Sequence, residues 1–267
     1  MSERTEDVLV QVTEEGHVMV VTINRPEVRN AVNGSVHVRV SAALERANRD
    51  PSIRAIIITG AGEDAFCAGA DLKAIARGEN PLTDDPVQAA RGFCGIVSHE
   101  IDKPLIAAVN GIAMGGGAEI VLACDLAIAA ETASFALPEV KRGLFAGGGG
   151  VFRLQRQIPA KVAMEMLFTG DPITAQRAFE LGLVNKIVPQ AQVLDAALEL
   201  ARRIAKNAPL GVQASKRITR GAINGTTDDA FYWQLIQGET DRLMSSEDAL
   251  EGPRAFAEKR NPVWKAK

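Results

Sequence analysis

The sequence predicts an α/β fold that passes into a helical C-terminal region, and three observations carry that reading. The order strand, Gly-rich loop, helix occurs twice, once from Ile53 and again from Leu105, and alternation of this kind argues an α/β architecture. The longest apolar segments, such as 55–58 and Leu105–Val109, have the length of buried strands, well short of the ~18 apolar residues of a membrane span. From Pro159 onward the periodicity turns helical. The chain of 267 residues therefore divides into a core over 1–190 and a helical region over 191–267.

Taken in order, Val8–Val12 and 17–23 read as a hairpin joined by Glu14-Glu15-Gly16, and Asn24-Arg25-Pro26 stops the second strand. Val36, Val40, Ala43, Leu44 and Ala47 fall at helical spacing and predict an amphipathic helix over 36–48. The β-branched run 53–59 predicts a buried strand that ends at Gly60 and feeds a Gly-rich loop reaching Ala70. Residues 78–86 read as a surface loop and 87–101 as a helix. Pro104 introduces a strand at Leu105–Val109, after which Gly111 and Gly115-Gly116-Gly117 form a second Gly-rich turn into a helix at 118–123. A strand at Leu126–Ala130 comes next. Helices are expected at 161–167, 174–181, 192–205, 210–222, 227–245 and 246–259, interrupted by a strand at Lys186–Val188. Ser246, followed by Glu247 and Asp248, is the expected cap of the last of them.

Composition narrows the function. A formal charge of -3 provides no basic field, which argues against nucleic acid as a partner. The charged opening 1–7 is unlike a signal peptide. Cys67, Cys94 and Cys124 are few and far apart, fitting neither a disulfide framework nor a metal site, so a cytoplasmic setting is expected.

Two Gly-rich loops could carry chemistry: Phe66-Cys67-Ala68-Gly69-Ala70-Asp71-Leu72-Lys73, and 110–119, which ends in Gly115-Gly116-Gly117-Ala118-Glu119. A Gly loop that opens a helix exposes backbone N–H groups without intrahelical partners, in the positive potential of the helix end. Such a place suits a phosphate or an oxygen that gains charge during reaction. Neither a P-loop nor a dinucleotide fingerprint is present. Each loop alone reads as a tight turn; two in one chain raise the odds of a site. Glu119 alone reads as a helix-terminal carboxylate and Glu139 as an exposed loop carboxylate. Together with the loops they suggest two carboxylates working beside an oxyanion hole, one taking a proton from water and the other giving one to carbon. His17, His37 and His99 are scattered and no Gly-x-Ser-x-Gly elbow exists, which argues against a Ser/His hydrolase. Cys67 reads as a small filler beside a turn, and the four glycines 147–150 as a turn.

The chain resembles the enoyl-CoA hydratase/isomerase (crotonase) superfamily along almost its whole length. The motifs are Ile23-Asn24-Arg25-Pro26, Ile57-Ile58-Thr59-Gly60, the 66–72 loop, the run from Pro104 to Gly111, Gly115 to Glu119, and Phe135-Ala136-Leu137-Pro138-Glu139. The resemblance implies a spiral of β-β-α turns and a C-terminal helical region used for trimerisation, in a homotrimer or a dimer of trimers. It implies an oxyanion hole made by the N–H groups of Ala70 and Gly116, with Glu119 acting on water and Glu139 on Cα of the acyl chain. Coenzyme A, as part of an acyl-CoA substrate, would lie along Ala70, Asp71, Leu72 and Lys73, with Ala68 and Arg29 near its nucleotide end and Phe256 and Lys259 enclosing it. No cofactor and no metal are implied. The activity implied is reversible addition of water to a trans-2-enoyl-CoA.

Within the superfamily, the stretches 72–79, 134–139 and 246–265 are similar to carnitinyl-CoA dehydratase and its relatives. Carnitinyl-CoA dehydration and double-bond isomerisation are therefore the alternative reactions, and a non-catalytic acyl-CoA binder the alternative class. One departure falls beside the expected acyl pocket: Phe145-Ala146 precedes the glycine run, where hydratases often carry a proline.

Overall fold

Strands that are apolar at nearly every position belong where both faces are covered, and this sequence has three of them. The computed structural model describes residues 6–13, 15–80, 82–224, 233, 237–238, 240–241, 244–245 and 247–260. In it β3 (Ala55–Gly60), β5 (Leu105–Val109) and β7 (Leu126–Ala130) are adjacent, almost wholly buried and parallel. The hairpin of β1 (Val8–Val12) and β2 (Val18–Ile23) extends this sheet on one side through β2, and β10 (Lys186–Val188) closes the other.

A second, four-stranded sheet runs β4 (Ala65–Cys67), β6 (Ile112–Met114), β8 (Ser134–Ala136) and β9 (Ile173–Thr174). The chain visits the two sheets alternately. Each of β3, β5 and β7 is followed by a short strand of the small sheet and then by a helix: α2 (Leu72–Ala76), α4 (Gly116–Ala123) and α5 (Gly150–Gln157). This is the β-β-α spiral that the resemblance implied. Its consequence is positional: two successive crossings from the small sheet into a helix, β4 to α2 and β6 to α4, lie side by side because β4 pairs with β6.

Helix α1 (Gly34–Arg49) buries Val36, Val40, Ala43, Leu44 and Ala47, and its Asn33 cap accepts a 3.0 Å hydrogen bond from the Val36 N–H. After α6 (Ala160–Thr169) and α7 (Ala175–Glu180), helix α8 (Val193–Ala205) packs Val193, Ala197, Ala201 and Ala205 toward β3, β5 and β7. The last two described helices are α9 (Pro209–Asn224) and α10 (Glu247–Ala257).

Three expectations are corrected. The helix expected over 87–101 is a single turn, α3 (Pro86–Ala89), and then a 3-10 turn at Phe93–Gly95. Gly92, Cys94 and Gly95 adopt left-handed φ of 71°, 57° and 66°, which a continuous helix does not admit. Both Gly-rich loops hold a strand, β4 and β6, too short for periodicity to register. The glycine run 147–150 leads directly into α5, so helical structure begins before Pro159, and β9 interrupts it later. The helix expected over 227–245 is described only at scattered positions, and its successor's expected cap Ser246 lies outside the described residues, as do 261–267.

Candidate active site

The first loop is fixed by an ion pair under it. Asp71 caps α2, its Oδ1 accepting from the Ala74 N–H at 3.0 Å, while its Oδ2 accepts from both terminal nitrogens of Arg25 at 3.1 Å. Arg25 also donates to the Ala31 carbonyl at 2.6 Å. Val32 forms a parallel bridge with Ala70: its N–H donates to the Gly69 carbonyl at 2.8 Å, and its carbonyl accepts from the Asp71 N–H at 2.9 Å. That bridge uses the groups flanking Ala70 and leaves the Ala70 N–H turned away from Val32.

The two loops touch. Gly69 has φ +92°, and a side chain there would stand 2.9 Å from the Met114 carbonyl and 3.3 Å from the Gly116 nitrogen. Gly116 is the first residue of α4, so its N–H has no intrahelical partner and lies at the positive end of the helix dipole. The ring of Phe93 lies directly against Gly116. Ala70 and Gly116 are both half-buried, on two loops that touch at Gly69 and Gly116.

Glu119 sits one turn into α4 and is buried. Its Oε1 accepts a 2.9 Å hydrogen bond from the Gly150 N–H. A methyl group at Gly148 would overlap the same carboxylate. The glycines 148–150 thus form a cradle that admits a carboxylate in contact with main chain, beyond the turn the sequence suggested. Burial pushes Glu119 up to about 7, opposed by the Gly150 and Gly148 N–H groups and by the Arg153 guanidinium.

Glu139 follows β8 and Pro138 in a 3-10 turn, Pro138–Arg142. The residue is half-buried, but its Oε2 is fully enclosed and has no hydrogen-bond partner among the described residues. Its Oε1 approaches Gly115, next to the hole residue: a side chain on Gly115 would stand 3.2 Å from it. Burial pushes Glu139 up to about 8, with the negative charge of Glu119 adding to the rise. The two carboxyls therefore titrate as a pair.

The remaining expected residues lie on or beside the first loop and α10. The Ala68 N–H donates to the Arg29 carbonyl at 3.0 Å, and Arg29, at φ 54°, is exposed and has no ion pair among the described residues. Lys73 is exposed on α2 and Leu72 half-buried, while the Asp71 side chain is used internally and supports the loop. Phe256 and Lys259 are exposed, Phe256 with the Arg142 guanidinium 4.4 Å from its ring centroid. Helix α10 packs on α2 and on the Glu139 turn of its own chain, and any side chain at its buried Gly252 would overlap the Arg142 carbonyl. The sequence reading missed Gly148, Gly150, Arg25 and Phe93. Only the run of four glycines left a visible signal.

A cavity of about 570 Å³ lies elsewhere, between the end of α4 and α9, lined by residues including Val121, Asp125, Lys216 and Arg220; neither glutamate borders it. Asp125 is paired there with Lys216 at 2.7 Å and Arg220 at 2.8 Å. Cys67, Cys94 and Cys124 are buried, and burial pushes the Cys67 and Cys124 thiols up to about 12, so their placement is that of packing. Among the described residues no cluster of three His, Cys, Asp or Glu could hold a metal ion, and no helix is long and apolar enough to cross a membrane.

Two Gly-rich loops of a β-β-α spiral that touch beside two enclosed carboxyls define a class of fold and site, and sequence comparison gives it a family. The chain belongs to the enoyl-CoA hydratase/isomerase family, which it matches over residues 13–267. It is 41% identical over 261 residues to the carnitinyl-CoA dehydratase of Salmonella enteritidis, covering 97% of this chain and 98% of that one. Its fold is similar to the crystal structure of a carnitinyl-CoA hydratase from Mycobacterium avium, with 55% identity, a TM-score of 0.92, and coverage of 98% of this chain and 100% of that one. It is also similar to an enoyl-CoA hydratase from Mycobacterium tuberculosis, with 42% identity, a TM-score of 0.76 and the same coverage.

Proposed function

We propose that this chain is a hydro-lyase that adds water reversibly across the C2–C3 double bond of a trans-2-enoyl-CoA thioester. The observation that carries the reading is the pair of enclosed carboxyls, Glu119 accepting from the Gly150 N–H at 2.9 Å and Glu139 with its Oε2 unpartnered among the described residues, beside two Gly-rich loops that touch. Burial of both carboxyls favours one shared proton over two charges, and the hydration arrangement has it on Glu139. Hydration needs that distribution: anionic Glu119 takes a proton from water as the oxygen attacks C3, and neutral Glu139 delivers one to C2. Dehydration runs the same transfers backward from the other tautomer of the pair. The thioester oxygen, enolate-like between the two transfers, is held by the Ala70 and Gly116 N–H groups. Each such donor contributes ~2.7–4 kcal/mol to the transition state, and each acid–base group ~10²–10⁴-fold.

Coenzyme A enters as part of the substrate along Ala68 to Lys73, with Arg29, Phe256 and Lys259 about its nucleotide end. Proton transfer by two side chains needs no metal and no further cofactor. The region 191–267 serves assembly as a homotrimer or a dimer of trimers, and α10 also closes the site of its own chain.

The second reading is dehydration of a carnitinyl-CoA, favoured by the activities for which the Salmonella and M. avium relatives are named. Both readings use the same two glutamates. Isomerisation is the weaker alternative, since a proton shuttle at carbon needs one carboxylate and two are buried here. The test follows loss of the conjugated-thioester absorbance of crotonyl-CoA and crotonobetainyl-CoA, with Glu119→Gln as control. Turnover abolished by the substitution supports hydro-lyase chemistry, and the ratio of kcat/KM between the two esters chooses the acyl group. No turnover of either ester, or turnover that Glu119→Gln leaves unchanged, sinks the reading.

A further inference from the structure

Arg153 is a buried guanidinium on α5, and the two-carboxyl chemistry gives it no task. Its Nη2 donates to the Val97 carbonyl at 2.7 Å and its Nη1 to the Gly148 carbonyl at 3.2 Å. Val97 is four residues beyond Phe93, whose ring lies against the hole residue Gly116. Gly148 is in the cradle that contacts the Glu119 carboxylate. One planar group therefore ties two walls that the chain leaves about fifty positions apart: the segment behind the hole donor and the glycine cradle of the water-side carboxylate. The guanidinium is itself held in plane, 4.9 Å from the Phe152 ring centroid and 5.6 Å from that of Trp233. Gly149, at φ +102°, has no room for a side chain because Nη1 occupies that space.

We propose that Arg153 is a positioning residue for the water-side step: its fork locks the 148–150 cradle onto Glu119 and keeps that cradle in register with the hole. The charged groups facing Glu119 are Arg153 from α5 and Glu139 from the 3-10 turn, with the Gly148 and Gly150 N–H groups of the cradle. Loss of the fork removes a cation and loosens two donors, and both changes favour the neutral acid. The inference rests on the reading of Glu119 as the group that acts on water.

The experiment titrates Glu119 by infrared difference spectroscopy in the substrate-free protein, with Glu119→Gln as the reference spectrum, and measures kcat and KM on crotonyl-CoA in parallel. Arg153→Gln is expected to raise the Glu119 midpoint by about one pH unit and to lower kcat ~10–100-fold, with KM unchanged. Arg153→Lys, which keeps the charge and loses the fork, is expected to move the midpoint less and to lower kcat by an intermediate factor. An unmoved midpoint in Arg153→Gln overturns the proposal whether or not kcat falls. If Arg153→Gln does not fold, as judged by near-ultraviolet circular dichroism, Arg153→Lys decides, and a native midpoint with native kcat overturns it. Failure of the native protein to turn over any enoyl thioester would instead sink the functional reading, because the titration needs no substrate.

Discussion

The first turn of α4 and the 3-10 turn at Pro138–Arg142 each present one glutamate to the same space, yet they treat it oppositely. Glu119 is enclosed but met by donors: the Gly150 N–H at 2.9 Å, the rest of the glycine cradle, and a cation beyond it. Glu139 has no donor at its enclosed Oε2, and its nearest charge is another carboxylate. Desolvation raises both acids, and the difference in donors orders them. Two chemically identical side chains thus meet different surroundings, the difference on which the proposed roles of base and acid rest.

The comparison breaks most sharply at carbon. Glu139→Gln should reduce exchange of the C2 proton of butyryl-CoA with deuterated solvent by ~10²–10⁴-fold, whereas Glu119→Gln should leave much of it intact. Equal losses in the two variants would mean that the roles are not divided. A smaller effect tests the cradle. Gly148→Ala places a methyl on the Glu119 carboxylate and should lower kcat ~10–100-fold with little change in binding of a saturated acyl-CoA. Native kcat in that variant would leave the cradle without a part in turnover.

The smallest effect concerns stability. Both carboxyls are raised above 4.5, so their neutral forms are favoured by folding. The stability this contributes is complete below about pH 4.5 and is lost as pH rises through about 7 and then 8. Glu139→Gln removes one charge the fold disfavours. It should therefore gain Tm relative to the native protein at pH 9 and show no such gain at pH 5. The scale is about 2–4 °C for each kcal/mol. A gain at pH 5 that equals the one at pH 9 would contradict the assignment.

How much of this was legible in the sequence depends on whether the signal is local. Strands β5 and β7 stand where their apolar runs placed them, because a strand buried on both faces writes its burial into every residue. Strands β4 and β6 are three residues each, hidden among glycines. The stretch 87–101 has apolar residues at helical spacing, and only the left-handed Gly92, Cys94 and Gly95 reveal that it bends back on α1. At the site, the family motifs name Glu119, Glu139, Ala70 and Gly116. The contacts that distinguish the two acids join residues 31 positions apart for Glu119 and Gly150, and 56 for Arg153 and Val97, and no periodicity carries such information.

The three enclosed cysteines give this architecture a built-in clock. Cys67 precedes the first hole loop, Cys94 lies in the 3-10 turn beside Phe93, and Cys124 ends α4. Cys67 and Cys94, fully enclosed and with thiols that resist ionisation, react only when their own elements open, whereas Cys124 also borders the cavity beside α9. Alkylation followed by peptide mass analysis therefore times the opening at Cys67 and at Cys94 separately, with Cys124 as the internal reference for a thiol that borders a cavity, and without altering a residue.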